Sequence, residues 1–191
     1  MKVVGINGSA RKGGNTAEMI KRVFVQLEAE GIETEMIELS GKKMRGCIAC
    51  YKCFENKDRR CAVNNDFMNE CITAMDAADG IILGSPTYFA NISTEMKALV
   101  DRSGMVGLAN GDMFARKVGA GVVSSRRGGS IQAFNALNAF FFIEQMIVPG
   151  SRYWNQARGK EKGDVLADAE GMETMDVLGS NMAWLMKKLE K

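Results

Sequence analysis

Short apolar runs rich in β-branched residues alternate along this chain with amphipathic stretches of helical period, and that order restricts the fold more than any other feature. Lys2–Asn7 reads as a strand ended by Gly8-Ser9. Ala17, Ile20, Phe24 and Leu27 follow at helical spacing, with Asn15 as N-cap, Glu18 completing a capping box and Gly31 as the stop. Glu33–Leu39 reads as a second strand, and Gly80–Gly84, apolar throughout, as a buried third. Lys117–Val123 supplies a fourth and Met146–Val148 a brief fifth. The spacing predicts further helices from Asp66 to Ala77, Ser93 to Ser103 and Ser130 to Glu144. A last one starts at Asp168, with Met172, Met175, Leu178, Met182, Leu185 and Leu189 in one stripe.

Strands alternating with helices imply right-handed βαβ crossovers and a parallel sheet covered on both faces. Five strands suit the flavodoxin-like order 2-1-3-4-5, a three-layer α/β sandwich that binds ligands at the carboxyl ends of its strands. Residues 1–191 are expected to form one domain, long enough to bury a core without staples. Ser40–Asn65 interrupts the pattern with four cysteines, several charges and little periodicity. A connection of that length is usually functional, so residues 40–65 read as an insertion.

Lys and Arg number 25 against 23 Asp and Glu, too small an excess to argue for a nucleic-acid or membrane surface. No apolar run approaches the roughly 20 residues that span a bilayer. Met1-Lys2 leads straight into Val3-Val4-Gly5-Ile6 without a signal segment, so a cytoplasmic location is the expectation. In that reducing setting, five cysteines are more often metal ligands or redox groups than disulfides.

The loop Gly8-Ser9-Ala10-Arg11-Lys12-Gly13-Gly14-Asn15-Thr16 joins the first strand to its helix. Its glycines let main-chain N–H groups turn inward, with Gly14 at the helix entrance. Ser9, Asn15 and Thr16 are neutral donors, and Arg11 and Lys12 offset charge. With the helix N-terminus behind it, this loop suits a phosphate dianion. The Walker pattern fails because Gly14 and Asn15 stand where Lys and Ser/Thr belong; G-x-G-x-x-G fails because Asn7 stands at its second glycine.

Two further loops leave strand carboxyl ends. In Gly84-Ser85-Pro86-Thr87-Tyr88-Phe89-Ala90-Asn91, Pro86 stiffens the turn, Tyr88 and Phe89 can pack a flat ring, and Thr87 and Asn91 can bond its polar edge. In Ser124-Ser125-Arg126-Arg127-Gly128-Gly129, Gly128 and Gly129 admit a ligand close to the backbone, while Ser125 or Arg126 can stabilise negative charge. Together the three loops specify phosphate at one end and a planar ring at the other.

Gly-x-Asn-Gly-Ser-x-Arg at 5–11, Gly-Asn-Thr at 14–16, Gly-Ser-Pro-Thr-Tyr at 84–88 and Met96-Lys97-Ala98-Leu99-Val100-Asp101-Arg102 resemble the NADPH-dependent FMN reductase family. The resemblance implies FMN, with its phosphate on Ser9, Arg11, Asn15 and Thr16 and its ring against Pro86–Asn91 and Ser125–Gly129. It also implies a homodimer or homotetramer, with the flavin near a subunit boundary.

Cys47-x2-Cys50-x2-Cys53, followed by seven residues and Cys61, is the second strong signal. Three thiolates at this spacing can hold three corners of a [4Fe-4S] cubane and Cys61 the fourth, among basic Arg45, Lys52, Lys57, Arg59 and Arg60. A structural zinc site and plain thiols are the competing readings. Zinc sites usually pair two separated Cys-x-x-Cys units, and the absence of histidine removes the mixed types.

The arrangement resembles the iron-sulfur flavoprotein subgroup, in which a [4Fe-4S] cluster passes electrons to FMN across the subunit boundary. Tyr153-Trp154-Asn155, Gly163-Asp164 and Glu170-Gly171 resemble that subgroup too. Cys71 shares a helical face with Phe67, Ala74 and Ala78 and reads as core. The fourteen methionines read as core filling, and Phe140-Phe141-Phe142 as split between core and a subunit contact.

The expectation is an FMN-dependent oxidoreductase that moves electrons between the cluster and FMN. Its donor is a ferredoxin-like protein or NAD(P)H, and small oxidants or ferredoxin-like partners accept. The alternative is a cluster-free NAD(P)H-dependent FMN or quinone reductase. A third reading, a redox sensor, is disfavoured by the lack of an output segment. No side chain is required as general acid or base, because the cofactors carry the chemistry.

Overall fold

The computed structural model describes residues 1–190. Its five parallel strands are β1 (Lys2–Asn7), β2 (Glu33–Glu38), β3 (Gly80–Pro86), β4 (Val118–Ser125) and β5 (Gln156–Arg158), in the expected order β2-β1-β3-β4-β5. The helices are α1 (Asn15–Ala29), α2 (Lys52–Asn56), α3 (Met68–Ala77), α4 (Thr94–Ala109), α5 (Ser130–Ile143) and α6 (Ala169–Leu189), with a 3-10 turn at Asp164–Ala167.

Side chains alternate across the sheet as the pleat demands. Val4, Ile6, Ile81, Leu83 and Val123 face α3, α4 and α5. Val3, Ile82, Ala120 and Val122 face α1 and α6. The central strands β3 and β4 are buried along their whole length, which explains their apolar runs up to the serines Ser85, Ser124 and Ser125 at the carboxyl ends. Gly84 lets α1 approach closely: a Cβ there would lie 2.7 Å from Ile20 and 2.9 Å from Thr16. The α6 stripe is buried from Met172 to Met182, and Leu189 at its end is exposed.

The fifth strand departs from the expectation. Ile147 makes only an isolated parallel bridge to Val118, and the chain rejoins the β4 edge at Gln156. Pro149 and Gly150 follow directly, and a proline cannot donate to a ladder. Across the gap Asn155 Nδ2 donates to Gly121 O at 3.0 Å, a side chain in place of a strand amide. Two helix ends differ as well. Asn15 lies inside α1, whose N-cap is Gly14 with no side-chain bond, so no capping box forms. Helix α4 continues past Gly104 to Ala109 because Val106 and Ala109 still bury core surface.

Glu144, just past α5, is fully buried and neither carboxylate oxygen has a hydrogen-bond partner. It packs against α4 where Gly104 and Gly107 leave room; a Cβ on Gly107 would collide with Glu144 Oε2. Burial, with Asp112 nearby, raises its pKa from 4.5 to about 8. The folded chain therefore holds a proton that the unfolded chain releases, so stability is full below about pH 4.5 and is lost as pH rises toward about 8. We expect the melting temperature to fall between pH 5 and pH 8 through this group, and Glu144→Gln to flatten that slope. An unchanged slope in calorimetry of the variant would refute the assignment.

Candidate functional site

The loops after β1, β3 and β4 meet at the carboxyl rim, where a cleft of about 260 Å³ opens. Ser9, Arg11, Asn15 and Thr16 line it from the first loop, Pro86, Thr87 and Tyr88 from the second, and Ser125 and Arg126 from the third. Lys12, Gly14, Phe89, Asn91, Gly128 and Gly129 are not among its lining residues. Gly14 is the N-cap of α1 and Gly129 that of α5, where its φ of 88° demands glycine. Asn91 closes a tight turn with Tyr88, the two exchanging backbone bonds of 2.9 and 3.0 Å. Phe89 and Ala90, both left-handed at φ 47° and 58°, form the tip of that turn and leave Phe89 fully exposed.

Hydrogen bonds fix the loops before any ligand arrives. Asn7 Oδ1 accepts from the Ser9 amide at 3.0 Å and Ser9 Oγ from the Arg11 amide at 3.1 Å. The Thr16 and Ser124 hydroxyls bond at 2.8 Å, and the Thr87 amide donates to Ser124 O at 2.8 Å. The first-turn amides of α1 have no intrahelical partners and lie behind Ser9 and Thr16, so they and the helix dipole favour an anion.

A fourth wall, absent from the sequence reading, comes from residues 159–162. Gly159, Lys160 and Lys162 line the cleft together with Ser124. Arg11 Nη1 donates to Lys160 O at 2.9 Å, and Asn15 Oδ1 accepts from the Gly163 amide at 2.8 Å. Arg11, Arg126, Lys160 and Lys162 make four cations on the lining, with no carboxylate among the lining residues. Charge and donors together select an anionic ligand.

Cys47, Cys50, Cys53 and Cys61 line a second, separate pocket. Ile48, Ala49, Met105 and Val106 give it apolar walls, and Arg102 from α4 contributes the single cation. Cys47 and Cys50 are exposed, Cys53 is buried on α2 and Cys61 is half-buried. The Ala49 amide donates to Cys47 Sγ at 3.4 Å. Ala49, Tyr51, Lys57 and Arg59 are left-handed at φ 52°, 56°, 49° and 60°, a costly backbone for non-glycine residues and one that makes anion-holding nests.

Among the described residues, no three His, Cys, Asp or Glu groups stand close enough to hold a single ion. The donor set itself, four thiols around one largely apolar pocket with amide and guanidinium N–H groups beside them, fits an iron-sulfur cluster chemically.

A parallel 2-1-3-4-5 sheet with a cation-lined cleft on its carboxyl rim defines a flavodoxin-like protein. The chain belongs to the NADPH-dependent FMN reductase family, whose model matches residues 1–161. It is 38% identical over 198 residues to an iron-sulfur flavoprotein of Methanocaldococcus jannaschii, each chain covered in full. It is 32% identical over 201 residues to an iron-sulfur flavoprotein of Methanosarcina thermophila, covering 100% of this chain and 98% of that one. A WrbA-like flavodoxin structure from Agrobacterium tumefaciens superposes with a TM-score of 0.67 at 19% identity, over 98% of both chains, and shows the fold. The protein is an FMN-dependent oxidoreductase.

Cys71 stands apart, fully buried in the core, with burial pushing its thiol up to about 12. Burial pushes the Cys53 thiol up as well. In the metal-free protein, iodoacetamide at pH 7.5 should label Cys47 and Cys50 first, Cys53 later and Cys71 only on unfolding. Peptide mass spectrometry reads the order, and early labelling of Cys71 would contradict the buried placement.

Proposed function

We propose that this protein is a two-centre redox protein that exchanges electrons between a [4Fe-4S] cluster and FMN. Residues 1–191 are read as one FMN-binding domain with the cysteine segment, about 40–65, inserted into it. FMN would lie along the rim cleft, its phosphate on Ser9, Arg11, Asn15 and Thr16, with Lys12 and the Gly14 backbone beside it. Lys160 and Lys162 would close the phosphate end from the opposite wall. The ring would extend toward Pro86, Thr87, Tyr88, Phe89 and Asn91, with Ser125, Arg126, Gly128 and Gly129 along its other edge.

The observation that carries the two-centre reading is the meeting of Cys47, Cys50, Cys53 and Cys61 around one pocket floored by α4. The relatives named iron-sulfur flavoproteins, matched along their whole length, support it. When bound, FMN takes up two electrons and releases them singly, whereas a cluster handles one at a time. This chain's part is to hold both groups, give the cysteine pocket an apolar wall with Met105 and Val106, and place cations beside the flavin's anionic end.

Ferredoxin-like partners or NAD(P)H would supply electrons, and small oxidants would take them, in the reducing cytoplasm. Phe142, Ile143, Tyr153 and Trp154, all at least half exposed, form an apolar surface that supports a homodimer or homotetramer. Phe140 and Phe141 are buried in the core.

Anaerobic purification with iron, acid-labile sulfide, zinc and FMN analysis on one sample tests the proposal. Iron and sulfide at cubane stoichiometry beside FMN are expected. Flavin without iron after anaerobic reconstitution would leave a cluster-free NAD(P)H-dependent FMN or quinone reductase. The phosphate assignment has its own test. Asn15→Asp keeps the acceptor for Gly163 and adds a negative charge to the cleft. FMN should then bind roughly ten- to a hundredfold more weakly, the worth of a hydrogen bond to a charged group. Riboflavin, which lacks the phosphate, should bind unchanged; an equal loss for both would remove the phosphate from this end.

A further inference from the structure

Arg102 is 2% exposed, and each of its five N–H donors has an acceptor. Nε and Nη2 both donate to Cys61 Sγ, at 3.4 and 3.3 Å. Nη2 also reaches Val63 O at 2.7 Å, while Nη1 reaches Arg45 O at 3.2 Å and Asp66 Oδ2 at 2.5 Å. One side chain therefore ties together the start of the cysteine segment at Arg45, its last cysteine and the Asp66 that follows. Asp66 also accepts from the Arg45 amide at 3.1 Å, which closes the loop a second time.

We propose that Arg102 is the positioning residue of the cysteine centre, presetting Cys61 as the fourth ligand and distinguishing its sulfur from the other three. The proposal rests on the cluster reading above and deepens it. Cys47 receives a backbone amide; Cys61 is the cysteine that receives guanidinium N–H bonds. Charge-assisted bonds draw electron density from a sulfur and favour the reduced form of a cluster bound to it. The rigid fork matters as much as the charge. A lysine ammonium could pair with Asp66 but could not span Cys61, Val63 and Arg45 at once. The donors come from a helix, so the sulfur's place is set by α4 and not by the irregular backbone that carries Cys61 itself.

The experiment compares the wild-type protein with Arg102→Lys and Arg102→Gln, all purified anaerobically, by iron-to-FMN ratio and by the separate midpoint potentials of the two centres. Arg102→Gln is expected to lose iron, or to keep it with the cluster potential shifted downward and the FMN potential unmoved. Arg102→Lys is expected to recover iron but not the potential. Wild-type iron and wild-type cluster potential in Arg102→Gln would overturn the proposal. If neither variant folds, pulsed EPR on the reduced wild-type protein grown with 15N-arginine decides. A 15N coupling to the cluster is expected, and its absence overturns the proposal. A wild-type sample that takes up no iron would defeat the cluster reading itself, and this assignment with it, before any variant is compared.

Discussion

A parallel sheet has to be covered on both faces, and most of this molecule follows from meeting that demand. Each crossover returns the chain to the same end of the sheet, with α1 and α6 on one face and α3, α4 and α5 on the other. The loops leaving strand carboxyl ends are thereby gathered on one rim, where no ladder can bind them to one another. Side-chain and single backbone bonds do so instead: Thr16 to Ser124, Thr87 to Ser124, Asn15 to Gly163 and Arg11 to Lys160. The cleft is organised in advance, which reduces the ordering cost of taking up a ligand.

The cysteine pocket is built on the opposite principle. Its backbone passes through four left-handed non-glycine residues, each costing on the order of 1–3 kcal/mol. Nothing regular holds it except the five residues of α2. The Arg102–Asp66 pair, with side chains at 1% and 0% exposure, lies beneath it. Burying such a pair costs desolvation that the mutual attraction only roughly offsets. Burial lowers the Arg102 pKa, but the hydrogen bonds to Asp66 and Cys61 outweigh it and leave the net shift upward, so the side chain stays charged. The gain is in position more than in stability: the segment is fastened at Arg45, Cys61, Val63 and Asp66 by one rigid group.

How much of this the sequence displays depends on whether the signal is local. Strands β1 to β4 and the long helices carry periodic or uniformly apolar patterns, and the sheet order follows from their alternation. The edge strand β5 is Gln156-Ala157-Arg158, three residues with no apolar run, so the apolar Met146–Val148 outcompeted it. The same gap hides the fourth wall of the cleft. Lys160 and Lys162 resemble any exposed lysines until a strand ending at Arg158 delivers them to the rim. Arg102 is legible as the end of the Met96–Arg102 run that resembles the family, but not as a buried cation; what buries it lies 36 to 57 positions earlier in the chain. The three glycine- and hydroxyl-rich loops were legible because they follow strands directly.

Helix α4 joins the two sites. Ser93 caps it by accepting from the Met96 amide, donates through its hydroxyl to Gly8 O at 2.7 Å and donates through its own amide to Ser85 Oγ at 2.9 Å. The N-terminus of α4 is thus fastened to the loops after β1 and β3, and Arg102 stands about 12 Å farther along the same helix at 1.5 Å per residue. A continuous hydrogen-bonded helix resists stretching, so the separation between the cleft loops and Cys61 is fixed by the element least able to change it. The proposed pair of redox groups needs that constancy. Placing the Cys61 thiol under the control of α4 supplies it, while Cys47 and Cys50 remain on irregular backbone and Cys53 on the short helix α2.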